Sequence, residues 1–188
     1  LPDGWATGVT VVQLNGGVSL NRRSGGAAGL AVTIAQRASG HVSLLPSPAI
    51  LERVETKQAI EADRTVAAVL VEAAEAQAFL FTAGPCDASS AHVENGYLSA
   101  SDVEELARRG AVGDVLGRYI DADGNIVDPQ LDARTVGVDL GRLRAAKRSI
   151  FVTAGDAKHD IARTVVTSGL CSVLVTDETT ARALLEER

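Results

Sequence analysis

The sequence predicts an α/β fold, with a Rossmann-like, mostly parallel sheet flanked by helices and a small antiparallel insertion. Two observations carry this prediction. Short β-branched runs alternate with longer segments of helical periodicity, an order typical of parallel sheets. The strand segments are apolar throughout, as expected for strands that helices cover on both faces.

Five segments are predicted strands, at 9–14, 41–45, 77–82, 149–153 and 172–176. Helical spacing of apolar residues predicts helices over 27–38, 49–62, 63–76, 102–109, 157–168 and 179–187. Asp63, Ser101 and Asp177 are the expected N-caps, because their side-chain oxygens can accept from free backbone N–H groups. The insertion is predicted as a hairpin, with strands over 115–120 and 125–128 and a turn at 121–124.

Composition predicts one cytoplasmic domain over residues 1–188. The net charge of -6 argues against nucleic-acid binding by this chain itself. Cys86 and Cys171 have no metal-ligand spacing, so we expect reduced thiols. No signal peptide or membrane-spanning run is evident. Because the chain begins at Leu1 and contains no Met, we expect a piece of a longer protein.

The predicted carboxyl ends of the strands are rich in glycine, and ligands of open α/β sheets bind beyond such ends. The glycine-rich stretches are 16–17, 82–84, 110–114 and 153–158. The last stretch combines free amides at a helix N-terminus with Lys158, which suits a phosphate. The alternative is that glycine serves only to turn the chain from strand to helix.

Asp114 is a candidate acceptor for two sugar hydroxyls, although a surface or capping role is the alternative. The stretch from Asp121 resembles part of a calcium loop but lacks its final Glu, so we predict a turn and no metal site. Among the three histidines only His159, beside Lys158, is placed near a ligand, with a solvated position as the alternative. Arg22 and its neighbour Arg23 suit a solvated loop or a phosphate or partner contact.

Six stretches resemble the sugar-binding domain of the SorC family of bacterial transcriptional regulators, including the deoxyribonucleoside-type regulators. They are VVQLNGG (11–17), LLPSPAI (44–50), GAVGDVLGRYIDADG (110–124), RTVGVDL (134–140), GDAKHDIARTVV (155–166) and SVLVTDETTARALL (172–185). They occur in the family's order along nearly the whole chain. The GAVGD stretch and the VTDE ending are the most specific.

The resemblance implies the fold of glucosamine-phosphate and ribose-phosphate isomerases, serving as a sensor of a phosphorylated sugar. It implies operator binding through a separate helix-turn-helix and a homodimer or homotetramer, without cofactor. The implied effector contacts are Asp114 for sugar hydroxyls, Lys158 for the phosphate, and the glycine turn after the first strand, with Gln13, Asn15 and Gly16. Gly84, in the glycine-rich end of the third predicted strand, is a further candidate effector contact. Asn15 cannot form a Schiff base, so binding is expected to be non-covalent.

The sequence departs from the family in lacking the helix-turn-helix, the first strands of the effector domain and their Gly-Thr phosphate loop. An isomerase on the same fold is the alternative function, since fold does not decide between sensor and enzyme. Asp114 and Lys158 could then serve in proton transfer, but no other acid–base pair is evident, so we expect no enzyme. A nucleotide-binding domain is disfavoured, because no GxGxxG opens a helix.

Overall fold

A computed structural model describes residues 1–17 and 26–186, and Arg22 and Arg23 lie outside this part. The chain divides into two compact units. Unit 1 comprises residues 1–76 and 134–138, and unit 2 comprises residues 77–133 and 139–188.

The described strands are β1 Thr10–Val12, β2 His41–Ser43, β3 Phe79–Phe81, β4 Ala83–Pro85, β5 Gly113–Val115, β6 Arg118–Ile120, β7 Ser149–Val152 and β8 Val173–Val175. The described helices are α1 Gly26–Arg37, α2 Val54–Ala62, α3 Arg64–Ala74, α4 Ala91–Glu94, α5 Ala100–Arg108, α6 Pro129–Asp132, α7 Leu140–Ala145, α8 His159–Thr167 and α9 Glu178–Leu185. A 3₁₀ turn at Asp156–Lys158 leads directly into α8.

Unit 1 is built on the parallel pair β1–β2, in which Thr10 pairs with His41. The segment 134–138 runs beside this pair through two isolated antiparallel bridges, Asn15 with Gly137 and Ile50 with Thr135. Leu45, Val66 and Val136 form a buried aliphatic cluster against which partly buried residues of the flanking helices pack. Burial of these side chains stabilises the unit, at about 1.5–3 kcal/mol for each fully buried aliphatic residue.

The first sheet of unit 2 is parallel, in the order β3–β7–β8. Phe81 of β3 pairs with Phe151 of β7, and their rings stack with centroids 5.3 Å apart. Helix α8 buries Ile161 and Val165, in keeping with the apolar spacing that predicts it.

The second sheet of unit 2 is antiparallel, in the order β4–β5–β6. A two-residue turn joins β5 to β6, and both turn residues have positive φ, at 55° for Leu116 and 83° for Gly117. Positive φ at both positions defines a type I′ turn, whose twist matches that of the strands it joins. In the register of this hairpin Asp114 lies opposite Tyr119. The turn therefore places two polar side chains side by side.

The predicted fold class is confirmed, with mostly parallel strands, flanking helices and an antiparallel sheet. Asp63 and Asp177 are the N-caps of α3 and α9, as predicted. The prediction of Ser101 as a cap is wrong, because Ser99 caps α5 in a reciprocal capping box with Asp102. The predicted helix over 49–62 begins only at Val54, because residues 49–51 pair with 134–136 instead.

The predicted hairpin is also corrected in part. Residues 115–120 do not form one strand, since the chain reverses at Leu116 and Gly117. The predicted turn at 121–124 does form, flanked by a bridge between Ile120 and Ile126. Across the described residues, no helix is long and apolar enough to cross a membrane.

Candidate functional site

Asp114, on β5, is the buried carboxylate of unit 2, with a residue exposure of 7%. The backbone N–H of Gly117 donates to its Oδ2 at 2.9 Å. Its Oδ1 lies 3.7 Å from His92 Nδ1. A buried carboxylate loses its hydration and needs donors to replace it. The two oxygens of Asp114 offer about four lone-pair sites, which is more than the Gly117 N–H uses. The remaining sites can accept from ligand hydroxyls.

Gly84, on β4, pairs with Asp114 across the antiparallel sheet. A Cβ at position 84 would lie 2.3 Å from Asp114 Oδ1, so the carboxylate occupies the space that any side chain there would need. Gly113 is constrained by packing instead, since a Cβ there would lie 2.4 Å from the Gly84 carbonyl oxygen and 2.7 Å from Ile161 Cβ. Gly84 thus allows the carboxylate to lie against β4, and Gly113 allows helix α8 to lie against β5.

Lys158 ends the 3₁₀ turn that packs beside β4. Gly155 begins this turn with φ +91°, a conformation that a residue with a Cβ rarely adopts. Asp177 holds the turn, because its Oδ2 accepts from the Gly155 N–H at 3.0 Å while its Oδ1 caps α9. These backbone N–H groups, that of Thr180 above all, lower the pKa of Asp177.

The Lys158 side chain is half-buried, and its ammonium pairs with no carboxylate in the part of the chain that the structure describes. The ammonium therefore keeps its donors for a ligand. In unit 2 the structure thus brings Gly84, Asp114 and the turn of Lys158 to neighbouring positions.

Burial and the charge of Asp114 raise the pKa values of two neighbouring side chains. Burial and then the Asp114 carboxylate raise the pKa of the Cys86 thiol to about 11. The same two causes raise the pKa of the Tyr119 phenol far above its usual range. Both groups are therefore protonated near neutral pH, and Tyr119 has a proton to donate.

The three remaining predicted residues lie in unit 1, in the loop after β1. Gln13 is buried; its Nε2 donates to the Asn15 carbonyl at 2.8 Å and its Oε1 accepts from Leu45 N at 3.3 Å. A Cβ at Gly16 would lie 2.1 Å from the Pro48 carbonyl oxygen. Gln13 therefore braces this loop, and Gly16 permits the close approach of the following segment.

The turn predicted at Asp121 is present, since its Oδ1 accepts from Asp123 N at 3.0 Å and Asn125 N at 2.9 Å. The bond from Asn125 N is the main cause that lowers the pKa of Asp121. His159 lies beside Asp156, with 3.6 Å between Nε2 and Oδ1. In residues 1–17 and 26–186 no group of three or more His, Cys, Asp or Glu side chains could hold a metal ion.

Sequence reasoning missed the side chains around Asp114, namely Ser90, His92 and Tyr119. In the sequence the histidines are judged by metal-ligand spacing, which gives no reason to choose His92. In the structure His92 lies against Tyr119 and Asp114. The Leu-Gly turn was the signal that could have found Tyr119, because a two-residue hairpin loop after Val115 sets Asp114 opposite it.

Comparison with known proteins shows the family to which the chain belongs. A family model of sugar-binding domains matches residues 5–186. The deoxyribonucleoside regulator of Bacillus subtilis is 33% identical over 180 residues, which cover 96% of this chain and 57% of that protein. The erythritol catabolism regulatory protein EryD of Brucella abortus is 30% identical over 152 residues, covering 81% of this chain and 48% of that protein. The chain thus spans about half the length of these relatives.

Solved structures share the fold. A domain of a possible sugar-binding transcriptional regulator from Arthrobacter aurescens superposes with a TM-score of 0.83 at 29% identity, covering 94% of this chain and 68% of that one. The full-length sorbitol operon regulator SorC of Klebsiella pneumoniae gives a TM-score of 0.87 at 23% identity, covering 99% and 61%. Because the family model spans nearly the whole sequence, the chain belongs to the family of sugar-binding domains of SorC- and DeoR-type transcriptional regulators.

Proposed function

We propose that this chain senses a phosphorylated sugar as the effector-binding domain of a bacterial transcriptional regulator. The observation that carries the proposal is the buried Asp114 carboxylate, which Gly84 admits beside the turn of Lys158. A polyol presents adjacent hydroxyl donors, and a carboxylate with two oxygens accepts from such a pair. A phosphate needs charge and N–H donors, which Lys158 and its turn supply.

The two functional groups have separate tasks in this proposal. Asp114 reads the sugar, and Lys158 reads the phosphate. Gln13, Asn15 and Gly16 are further proposed effector contacts; their support is the resemblance of the VVQLNGG stretch to the family. Binding is non-covalent, because no amine stands at Asn15.

We further propose that the whole protein is a cytoplasmic homo-oligomer that binds its operator through a helix-turn-helix outside this chain. The names of its relatives support the regulatory role, since they describe a deoxyribonucleoside regulator and an erythritol catabolism regulatory protein. The charge of the chain supports a separate DNA-binding segment, because 18 basic residues are outnumbered by 24 acidic ones.

A thermal-shift and calorimetry panel tests the effector. The relatives' names suggest 2-deoxyribose 5-phosphate, erythritol 4-phosphate and sorbitol 6-phosphate as probes, each beside its unphosphorylated parent. A bound probe at about 100 times its Kd adds roughly 2.7 kcal/mol of stability. Binding without turnover supports the sensor, whereas conversion of a probe to an isomer would identify an enzyme.

Lys158→Ala separates the two tasks. Charge-assisted hydrogen bonds contribute about 1.5–3 kcal/mol, so we expect affinity for a bound sugar phosphate to fall about ten- to a hundredfold. Affinity for the unphosphorylated parent should hardly change. Lys147→Ala is the matched control, because Lys147 is exposed and lies before β7. Equal losses for both forms of the sugar would refute the assignment of Lys158.

A further inference from the structure

Four buried polar side chains meet in unit 2, and we call Ser90, His92, Asp114 and Tyr119 the Asp114 network. Their residue exposures are between 1% and 9%. The Tyr119 Oη lies 3.2 Å from His92 Nδ1 and 3.2 Å from Ser90 Oγ. The same His92 Nδ1 lies 3.7 Å from Asp114 Oδ1. Buried polar groups are costly unless they are hydrogen-bonded, so we take these contacts as an ordered feature of the fold.

Local structure fixes the position of the imidazole. Ser90 is the N-cap of the one-turn helix α4, and its Oγ accepts from the His92 backbone N–H at 3.2 Å. The hairpin register sets Tyr119 directly opposite Asp114 on the neighbouring strand. The helix cap and the hairpin thus deliver His92 and Tyr119 to the same carboxylate from two different elements.

The negative charge of Asp114 favours one direction for the hydrogen bonds among His92, Tyr119 and Ser90. An ionised carboxylate only accepts, and a neutral imidazole has one N–H and one bare nitrogen. A bare Nδ1 would direct its lone pair towards Asp114 Oδ1, whereas an Nδ1–H directs a positive dipole there. With its proton on Nδ1, the imidazole would donate to Tyr119 Oη, and the Tyr119 hydroxyl would then be free to donate to Ser90 Oγ.

We propose that His92 is the positioning residue of the Asp114 carboxylate, with its proton on Nδ1 and with Tyr119 and Ser90 fixing that tautomer. The role rests on the proposed function, since the carboxylate so positioned is the group that reads the sugar. Gly117 N–H holds Oδ2, and His92 faces Oδ1. The carboxylate is therefore oriented from both sides before a sugar binds, which lowers the entropic cost of recognition.

The tautomer is tested without any effector. Nitrogen-15 shifts of the imidazoles, measured at about pH 8, where an ordinary imidazole is neutral, distinguish Nδ1–H from Nε2–H. The chain has three histidines, and His92→Asn assigns the signal of His92. We expect the Nδ1–H form. An Nε2–H form would overturn the proposal whether or not any sugar phosphate binds.

Affinity tests the functional role. His92→Leu should weaken binding of a sugar phosphate and of its unphosphorylated parent by the same factor, about tenfold, since a misoriented carboxylate loses about one hydrogen bond to the sugar. His92→Asn should restore affinity to within about threefold, because its amide N–H lies near the place of Nδ1–H. If His92→Leu fails to fold, the affinity of His92→Asn and the nitrogen-15 measurement of the His92 tautomer still test the proposal.

A double-variant cycle excludes a merely structural role. In the Asp114→Asn background, His92→Leu should cause no further loss of affinity, since the two residues act through one carboxylate. Additive losses would overturn the proposal. A wild-type chain that binds none of the probes would count against the proposed function instead, and the tautomer measurement would still test the positioning role.

Discussion

Replacing Gly84 with alanine tests the proposal that the Asp114 carboxylate beside this glycine contacts the sugar. The added Cβ would lie 2.3 Å from Asp114 Oδ1 and 3.5 Å from its Cγ. Ordinary van der Waals contact starts near 3.4 Å, so the oxygen must move by about 1 Å. The clash is with the far end of a side chain, so the backbone of β4 and β5 can remain in place.

Displacement of the carboxylate affects both stability and binding. Losing the charge-assisted bond from Gly117 N–H costs about 1.5–3 kcal/mol, which lowers Tm by roughly 3–12 °C for a chain of this size. A carboxylate misplaced by about 1 Å loses one or more charge-assisted bonds to the sugar, about 1.5–3 kcal/mol. We therefore expect affinity to fall about ten- to a hundredfold in Gly84→Ala.

Calorimetric titration with the best probe of the panel measures this loss, and two other glycines serve as controls. Gly29→Ala, within α1, introduces a Cβ that meets nothing within 4 Å, so binding should be unchanged. Gly113→Ala would clash with backbone and should destabilise the fold itself. A Gly84→Ala chain that binds as tightly as the wild type would refute the reasoning, because the carboxylate would then not be the sugar contact.

Two further predictions concern side chains near the carboxylate. Alkylation of Cys86 near pH 8 should be roughly a hundredfold slower than for an ordinary thiol and should rise with pH up to about 11, where its pKa lies. Mass spectrometry should show faster alkylation of Cys86, but not of Cys171, in Asp114→Asn; equal rates would show that Asp114 does not act on the thiol. Leu116→Asn should raise Tm, because asparagine tolerates the positive φ that costs leucine about 1 kcal/mol. A lower Tm in differential scanning calorimetry would show that apolar contacts of Leu116 outweigh the backbone strain.

Much of the fold could be predicted from local sequence patterns. Apolar runs and caps such as Asp63 and Asp177 are decided within a few residues, and these predictions are confirmed. The errors arise where distant segments compete with a local preference. Residues 49–51 have helical spacing, but Ile50 pairs instead with Thr135, more than eighty residues away in the chain. No local pattern contains that partner.

The candidate site divides in the same way. Asp114, Gly84 and Lys158 are candidates from the GAVGD, TAG and GDAK stretches, and the structure brings Gly84, Asp114 and the turn of Lys158 to neighbouring positions, while their contact with an effector stays a prediction. The residues that orient Asp114 could not be predicted, since His92 reaches the carboxylate through a helix cap and Tyr119 through a hairpin register. Gln13 was predicted as an effector contact, and the structure adds that its amide braces the loop of Asn15. Its contact with an effector stays a prediction.

The environment of Asp114 argues that this carboxylate is kept for binding rather than for stability. Burying a carboxylate is costly, and among the described residues only the Gly117 N–H donates to it directly. Burial first, and then the Asp114 charge, also raise the pKa of the neighbouring Cys86 thiol and Tyr119 phenol. A neutral side chain would satisfy Gly117 without these costs. The retained charge, the nearby His92 and the space at Gly84 therefore support the proposal that Asp114 binds a hydroxyl-rich ligand.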